Sequence, residues 1–322
     1  AGSLPRACGA SQTGVPGSRL PRPYPTRVEP RAQRAPPRSN GICAAARKVL
    51  MAAIQTAQVL VDGVRSLVRS SGPDSSTEAV VFVHGNPGSS EDWLDLLPHA
   101  GELARSIAPD MPGYGKADRP RTFDYTVRGY ARHLSGLLKQ LGVQRAHLVL
   151  HDFGGPWGLQ WASEHPTQVA SVSLINIGLV PGYRWHIIAR IWRTPVIGEL
   201  FQRINGPRSF RSGLNAGNPK RFPDAFLDRM LADMDAGHKR AVLALYRATD
   251  LDQLSRQLGP VLQPLALPAL VIWGAGDDAL PVRFAQTQKA YFRAEVHELE
   301  GCGHWPMIDD PERVRALLLT FL

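Results

Sequence analysis

From Val59 to the C-terminus the chain alternates short runs of β-branched and apolar residues with longer stretches in which apolar positions recur every three or four residues. This alternation constrains the fold more than any other feature. Ala79–Val83, Arg105–Pro109, Ala146–Leu150, Val169–Ile177, Ala269–Trp273 and Glu295–Leu299 are short and mostly apolar, as strands of a covered sheet are. Before them, Val59–Val61 and Arg65–Val68 flank Asp62-Gly63, a hairpin signal. Ser89 or Ser90 can cap a helix running on through Trp93, Leu96 and Leu97. Tyr125–Leu141, ended by Gly142, reads as an amphipathic helix, and Trp157–Glu164 and Pro311–Leu322 as two more. The expected class is α/β, a mostly parallel sheet flanked by helices.

The rhythm breaks between residues 178 and 263. This interval is helical, rich in Trp, Arg and Phe, and interrupted by turns such as Asn205-Gly206-Pro207. It reads as a helical cap inserted after the sixth strand, which divides the core into residues 51–177 and 264–322. No stretch reaches the roughly 18 apolar residues of a membrane span, and the best run, Val261 to Trp273, is broken by prolines.

Net charge is +9 over 322 residues, but it is unevenly placed. Residues 1–50 hold nine Arg or Lys and one acid, whereas residues 51–322 are nearly balanced. The basicity therefore says little about the ligand of the folded part. Residues 1–50, with eight prolines and five glycines, read as a disordered extension. The first methionine is Met51, so this stretch reads as vector or upstream reading frame in preference to an Arg-rich organelle presequence, against which its few serines and many prolines count. Tyr24 is its one aromatic, too few for a nucleic-acid arm, and no nucleic-acid or membrane partner is expected. Cys302 stands alone in the body, which fits a reducing compartment and a cytoplasmic location.

The chemistry gathers at strand ends. Asp152 precedes Gly154-Gly155 where a strand meets a helix. A residue on such a turn projects above the sheet's carboxyl edge, and small neighbours let the helix approach. Taken alone, an Asp there is a weak signal and reads first as a helix N-cap. Three further segments bear on that choice. His84-Gly85-Asn86-Pro87 follows an early strand, Gly274-Ala275-Gly276-Asp277 the penultimate one, and Gly303-His304-Trp305-Pro306 the last.

In this order the four motifs resemble those of the α/β-hydrolase superfamily over about residues 58–322. The resemblance implies a triad of Asp152, Asp277 and His304, with Asp152 where esterases carry serine. It points to the aspartate-nucleophile branch, similar to epoxide hydrolases and haloalkane dehalogenases. The substitution has chemical meaning. A carboxylate is ionised at neutral pH and can attack a saturated carbon, leaving an ester. Serine would leave an ether that water cannot clear. His304 is then free to deprotonate water, with the oxyanion held by the backbone N–H groups of Phe153 and Asn86, and Asp277 orienting His304. Asp278 is the alternative acid; the Gly-x-x-Asp-x-x-x-Pro spacing to Pro281 looks like the family pattern and favours Asp277. Asn176, where some dehalogenases resembling this chain carry the acid, is not a carboxylate.

The two branches differ in the leaving group. An epoxide needs a proton, which the resemblance assigns to cap tyrosines, here Tyr246 or Tyr183. A halide needs N–H donors, for which Asn86 fits but Phe153 has none on its side chain; Trp185 and Trp192 are cap alternatives. The expectation is an epoxide hydrolase, then a haloalkane dehalogenase, then another hydrolase or a non-catalytic binding scaffold, acting on a small hydrophobic substrate and water. No cofactor is implied, since Asp110–Gly115 lacks nucleotide-loop spacing. His151, His165 and His186 read as packing or surface histidines, with no zinc spacing.

Overall fold

The structure, a computed structural model, describes residues 52–322. The readings of residues 1–50 lie outside the described residues. Eight strands form one sheet: β1 (Gln55–Val61), β2 (Val64–Ser71), β3 (Glu78–Val83), β4 (Arg105–Pro109), β5 (Arg145–His151), β6 (Val169–Ile175), β7 (Pro268–Gly274) and β8 (Arg293–Leu299). Their order is β1-β2-β4-β3-β5-β6-β7-β8. The β1–β2 and β2–β4 pairs are antiparallel, and every pairing from β4 to β8 is parallel.

Burial explains why the central strands read so plainly. All of β4 and β6 is buried, as is β3 from Ala79 onward. Alternate residues of β3 feed opposite faces: Val81 and Val83 join Leu148 and Trp157, while Val80 and Phe82 join Trp93 and Val149. Edge strand β1 is exposed along Gln55–Gln58, so its polar start carried no strand signal and the structure begins it four residues before Val59.

On the faces lie α1 (Leu96–Leu103), α2 (Val127–Gln140), α3 (Gly154–Glu164), α10 (Arg283–Thr287), α11 (Pro306–Asp309) and α12 (Pro311–Phe321). Between β6 and β7 come α4 (Ile187–Arg193), α5 (Ile197–Ile204), α6 (Pro207–Ala216), α7 (Asp224–Ala232), α8 (Ala236–Ala248) and α9 (Leu251–Leu262). Helix α2 buries Tyr130, Leu134, Leu137 and Leu138 on one stripe, and Tyr130 stacks on Trp157 of α3 with ring centroids 4.1 Å apart. The expected helix from Ser89 through Leu97 is divided. The Ser89 hydroxyl accepts from Glu91 N–H and Asp92 accepts from Ser89 N–H, closing a single turn over Ser90–Trp93, and α1 starts separately at Leu96. Among the described residues no helix is long and apolar enough to cross a membrane.

Candidate active site

Strand β5 ends at His151 and α3 begins at Gly154, leaving Asp152 on the bend with φ +47°. A non-glycine residue in that region carries about 1–3 kcal/mol of backbone strain and persists where its surroundings hold it. The surroundings here are tight. A Cβ on Gly85 would fall on the Asp152 carboxylate, and one on Gly154 would fall on the Val83 carbonyl. Asp152 does not cap α3. Its Oδ1 instead accepts from the Asn86 backbone N–H at 2.6 Å, and its Oδ2 lies 3.4 Å from His304 Nε2.

The loop after β7 supplies Asp277. Its Oδ1 accepts from the N–H groups of Ala279 and Leu280 at 2.8 and 2.9 Å. Its Oδ2 accepts from His304 Nδ1 and from Asn176 Nδ2, both at 2.7 Å. Asp278, by contrast, is exposed. The three expected residues thus meet from three strand ends, all buried. Asn176 was legible only as a missing carboxylate, yet it ties the acid in place. Held at φ +47° after β6, it accepts from Gly274 N–H at 2.9 Å while donating to Asp277. His151 is likewise no bystander: its Nε2 bonds the His304 carbonyl oxygen at 2.8 Å. Half-buried His186 lines the same pocket as Asp152, whereas His165 bonds Ser135 at 3.1 Å on the far end of α3.

Charge at this cluster follows from its burial and its neighbours. Burial alone would push the His304 imidazole down, but the charges of Asp277 and Asp152 and its hydrogen bonds to both outweigh that and raise it to about 10. Burial likewise disfavours the two carboxylates, and the charge and hydrogen bonding of His304 override it, so both sit below the ordinary carboxylate value. His151, buried and beside the His304 charge, is lowered to about 4 and stays neutral. With His304 raised from 6.5 to about 10, its contribution to stability is complete below about pH 6.5 and is lost as pH rises through 10. Thermal melts should therefore separate wild type from His304→Gln most near pH 6, with the gap shrinking toward pH 10. A gap constant across that window would contradict the assigned charges.

Tyr246 of α8 faces the cluster. Its hydroxyl oxygen accepts from Asn86 Nδ2 at 3.2 Å, which leaves its own proton unengaged by the protein among the described residues. Burial, and then the Asp152 charge, push the phenol well above its ordinary range and keep it protonated. Tyr183 differs: its hydroxyl donates to the Ala279 carbonyl at 3.0 Å. Phe153 turns its ring toward Tyr246 and Trp185, at 4.9 and 6.2 Å between centroids. Asp152, Phe153, Tyr183, Trp185, His186 and Tyr246 line a cavity of about 20 Å³, space for a single water. A larger cavity of about 100 Å³ is lined by Asn86 together with Trp192, Gln202 and Asn205. The Trp192 indole N–H is buried without a partner among the described residues.

The chain was compared with known families, curated proteins and solved structures. A family model described as alpha/beta hydrolase family matches residues 80–317. A cis-3-alkyl-4-alkyloxetan-2-one decarboxylase of Xanthomonas campestris pv. campestris is 30% identical over 275 residues, covering 78% of this chain and 90% of its own. Epoxide hydrolase 1 of Caenorhabditis elegans is 25% identical, covering 76% of this chain and 64% of its own. Among solved structures, epoxide hydrolase CorEH superposes with a TM-score of 0.72 at 22% identity, covering 84% of this chain and 98% of its own. Haloalkane dehalogenase DbeA from Bradyrhizobium elkani USDA94 does so with a TM-score of 0.73 at 24% identity, with the same coverage of 84% and 98%. These two superpositions establish a common fold.

Proposed function

The chain belongs to the alpha/beta hydrolase family, and from that premise we propose that it is a cofactor-independent epoxide hydrolase, with Asp152 as nucleophile and a vicinal diol as product. One observation carries the choice of leaving group: the Tyr246 hydroxyl takes its hydrogen bond from Asn86 and so keeps its proton for the pocket it shares with Asp152. Tyr183 has spent its proton on Ala279, and Phe153 has none to give.

The steps follow from the atoms. Asp152 Oδ2, the oxygen not held by Asn86, attacks a ring carbon from the side opposite its C–O bond. That bond breaks, and the departing oxygen takes the proton of Tyr246. The product is a hydroxyalkyl ester. Asp152 is now neutral, so one of the two charges that raise His304 has gone, and the imidazole can shed its proton to the phenolate or to solvent. Neutral His304 then takes a proton from water, which adds to the ester carbonyl. The oxyanion forms at Oδ1, the atom already seated on the Asn86 N–H at 2.6 Å, with the Phe153 N–H as its second donor. Collapse breaks the ester C–O bond, and the departing alkoxide takes the proton that His304 drew from water to give the diol. The regenerated carboxyl passes its own proton to His304, restoring the Asp152 carboxylate and the imidazolium that Asp277 stabilises. The helices between β6 and β7 act in this reading as a cap. With room for one water beside Asp152, they must part to admit a substrate.

A second reading, haloalkane dehalogenation, rests on Trp192, which lines the cavity that reaches Asn86 and whose buried indole N–H is unpartnered among the described residues. One assay separates the two. Purified protein is incubated with epoxides, haloalkanes and a four-membered lactone, the last because the Xanthomonas relative is named for one. Diol should form from the epoxides, and Tyr246→Phe should lower that rate by on the order of 10² to 10⁴. Halide release without diol, or a Tyr246→Phe variant as fast as wild type, would overturn the assignment.

A further inference from the structure

Residues 178–221 contain eight Arg or Lys against one acid, whereas the rest of residues 51–322 holds 20 basic and 26 acidic residues. Within that stretch the structure exposes large aliphatic side chains. Ile197, Leu200 and Ile204 recur along the outer face of α5 and are 55%, 58% and 70% exposed, next to Val196 at 77% and Ile187 of α4 at 65%. The spacing of i, i+3 and i+7 puts the three α5 residues on one stripe. Arg184, Arg190, Arg203 and Arg208 of the same stretch are exposed, and none makes an ion pair among the described residues. Glu199, the one acid of the stretch, is neutralised by Arg247.

We propose that this face of α4 and α5 docks on an anionic lipid surface, with α5 lying in the plane of the interface. Aliphatic side chains with an arginine rim are what such a helix presents, the chains entering the acyl boundary and the guanidinium groups meeting phosphates. The absence of a spanning segment, from which no membrane partner was expected, bears on crossing a bilayer and not on lying against one. The charge rejects the other ways of covering this face. A second copy joined by a two-fold axis would set the patch against itself, arginine facing arginine. Residues 1–50, with nine basic residues and one acid, bear the same sign. Docking here would also bring the bilayer close to the larger cavity, because Gln202 and Asn205 at the end of α5 form part of its wall. The inference is independent of the reaction assigned to the site.

The test is co-sedimentation of the full chain with vesicles of phosphatidylcholine, with and without phosphatidylglycerol. Wild type should pellet with the anionic vesicles, less so as salt is raised. Leu200→Ser/Ile204→Ser should lower partitioning at least tenfold. Arg203→Gln/Arg208→Gln, which leaves the aliphatic stripe intact, should lower it about fivefold for each charge removed. Both variants keep residues 1–50, so equal pelleting of wild type and variants would place lipid contact elsewhere and overturn the proposal. Failure of wild type to pellet would also overturn it. So would a wild-type dimer in light scattering that the serine variant dissociates, since the stripe would then be covered by a second copy.

Discussion

Asp152→Ala is expected to lower turnover by on the order of 10⁴-fold or more, with the fold intact. The size follows from the absence of a substitute. Both oxygens of Asp277 are engaged, by Ala279 and Leu280 on one side and by His304 and Asn176 on the other. Without Asp152 only a water could attack the substrate, unaided by the alignment that the bend imposes. Folding should survive, because the position already sits at φ +47° and alanine there costs about 1–2 kcal/mol. Thermal melting checks the fold, and a steady-state assay checks the rate. A folded variant retaining a tenth of wild-type activity would remove Asp152 from the nucleophile's role.

His304→Gln should separate the two halves of the reaction. The attack needs only an ionised Asp152. The variant keeps the Asn86 N–H on it but loses the His304 charge that offsets burial, so the assay is run at alkaline pH to keep the carboxylate ionised. Hydrolysis of the ester needs a base within reach of the carbonyl. His151 does not replace it, since its Nε2 is bound to the residue 304 backbone carbonyl and burial lowers its imidazole to about 4, too weak a base. The variant should therefore consume about one equivalent of substrate and stop, its Asp152 peptide heavier by the mass of the substrate. Absence of any adduct in a folded variant that also lacks turnover would mean that His304 acts before or during the attack.

Much of this was legible in the sequence for identifiable reasons. The central strands are buried on both faces, so their apolar runs identify them without help from partners. The motif glycines mark a bend that steric packing enforces: Gly85 and Gly154 face the Asp152 carboxylate and the Val83 carbonyl. What stayed hidden depends on distant partners. Asn176 holds Asp277 across 101 residues of sequence, and nothing local distinguishes it from a strand-end asparagine at a turn. In the sequence Tyr246 stands ahead of Tyr183 only because Leu245-Tyr246-Arg247 resembles a cap-tyrosine segment; the structure gives Tyr183 a carbonyl 96 residues away and leaves the proton of Tyr246 free. Helix α3 starts at Gly154, before the expected Trp157, because close approach to β3 requires glycines that helix propensity disfavours. The aliphatic stripe of α5 fits packing as well as exposure when read as sequence; only its accessible surface separates the two.

The covalent step itself is open to one direct measurement. A single turnover in ¹⁸O-water, with enzyme in excess over an epoxide that it hydrolyses, is followed by mass analysis of the diol and of the peptide containing Asp152. If the ester forms and is cleaved at its carbonyl, the diol leaves unlabelled and the heavy oxygen remains in the Asp152 carboxylate. A labelled diol from that first cycle, with Asp152 unlabelled, would mean that water attacks the substrate directly and that no ester forms.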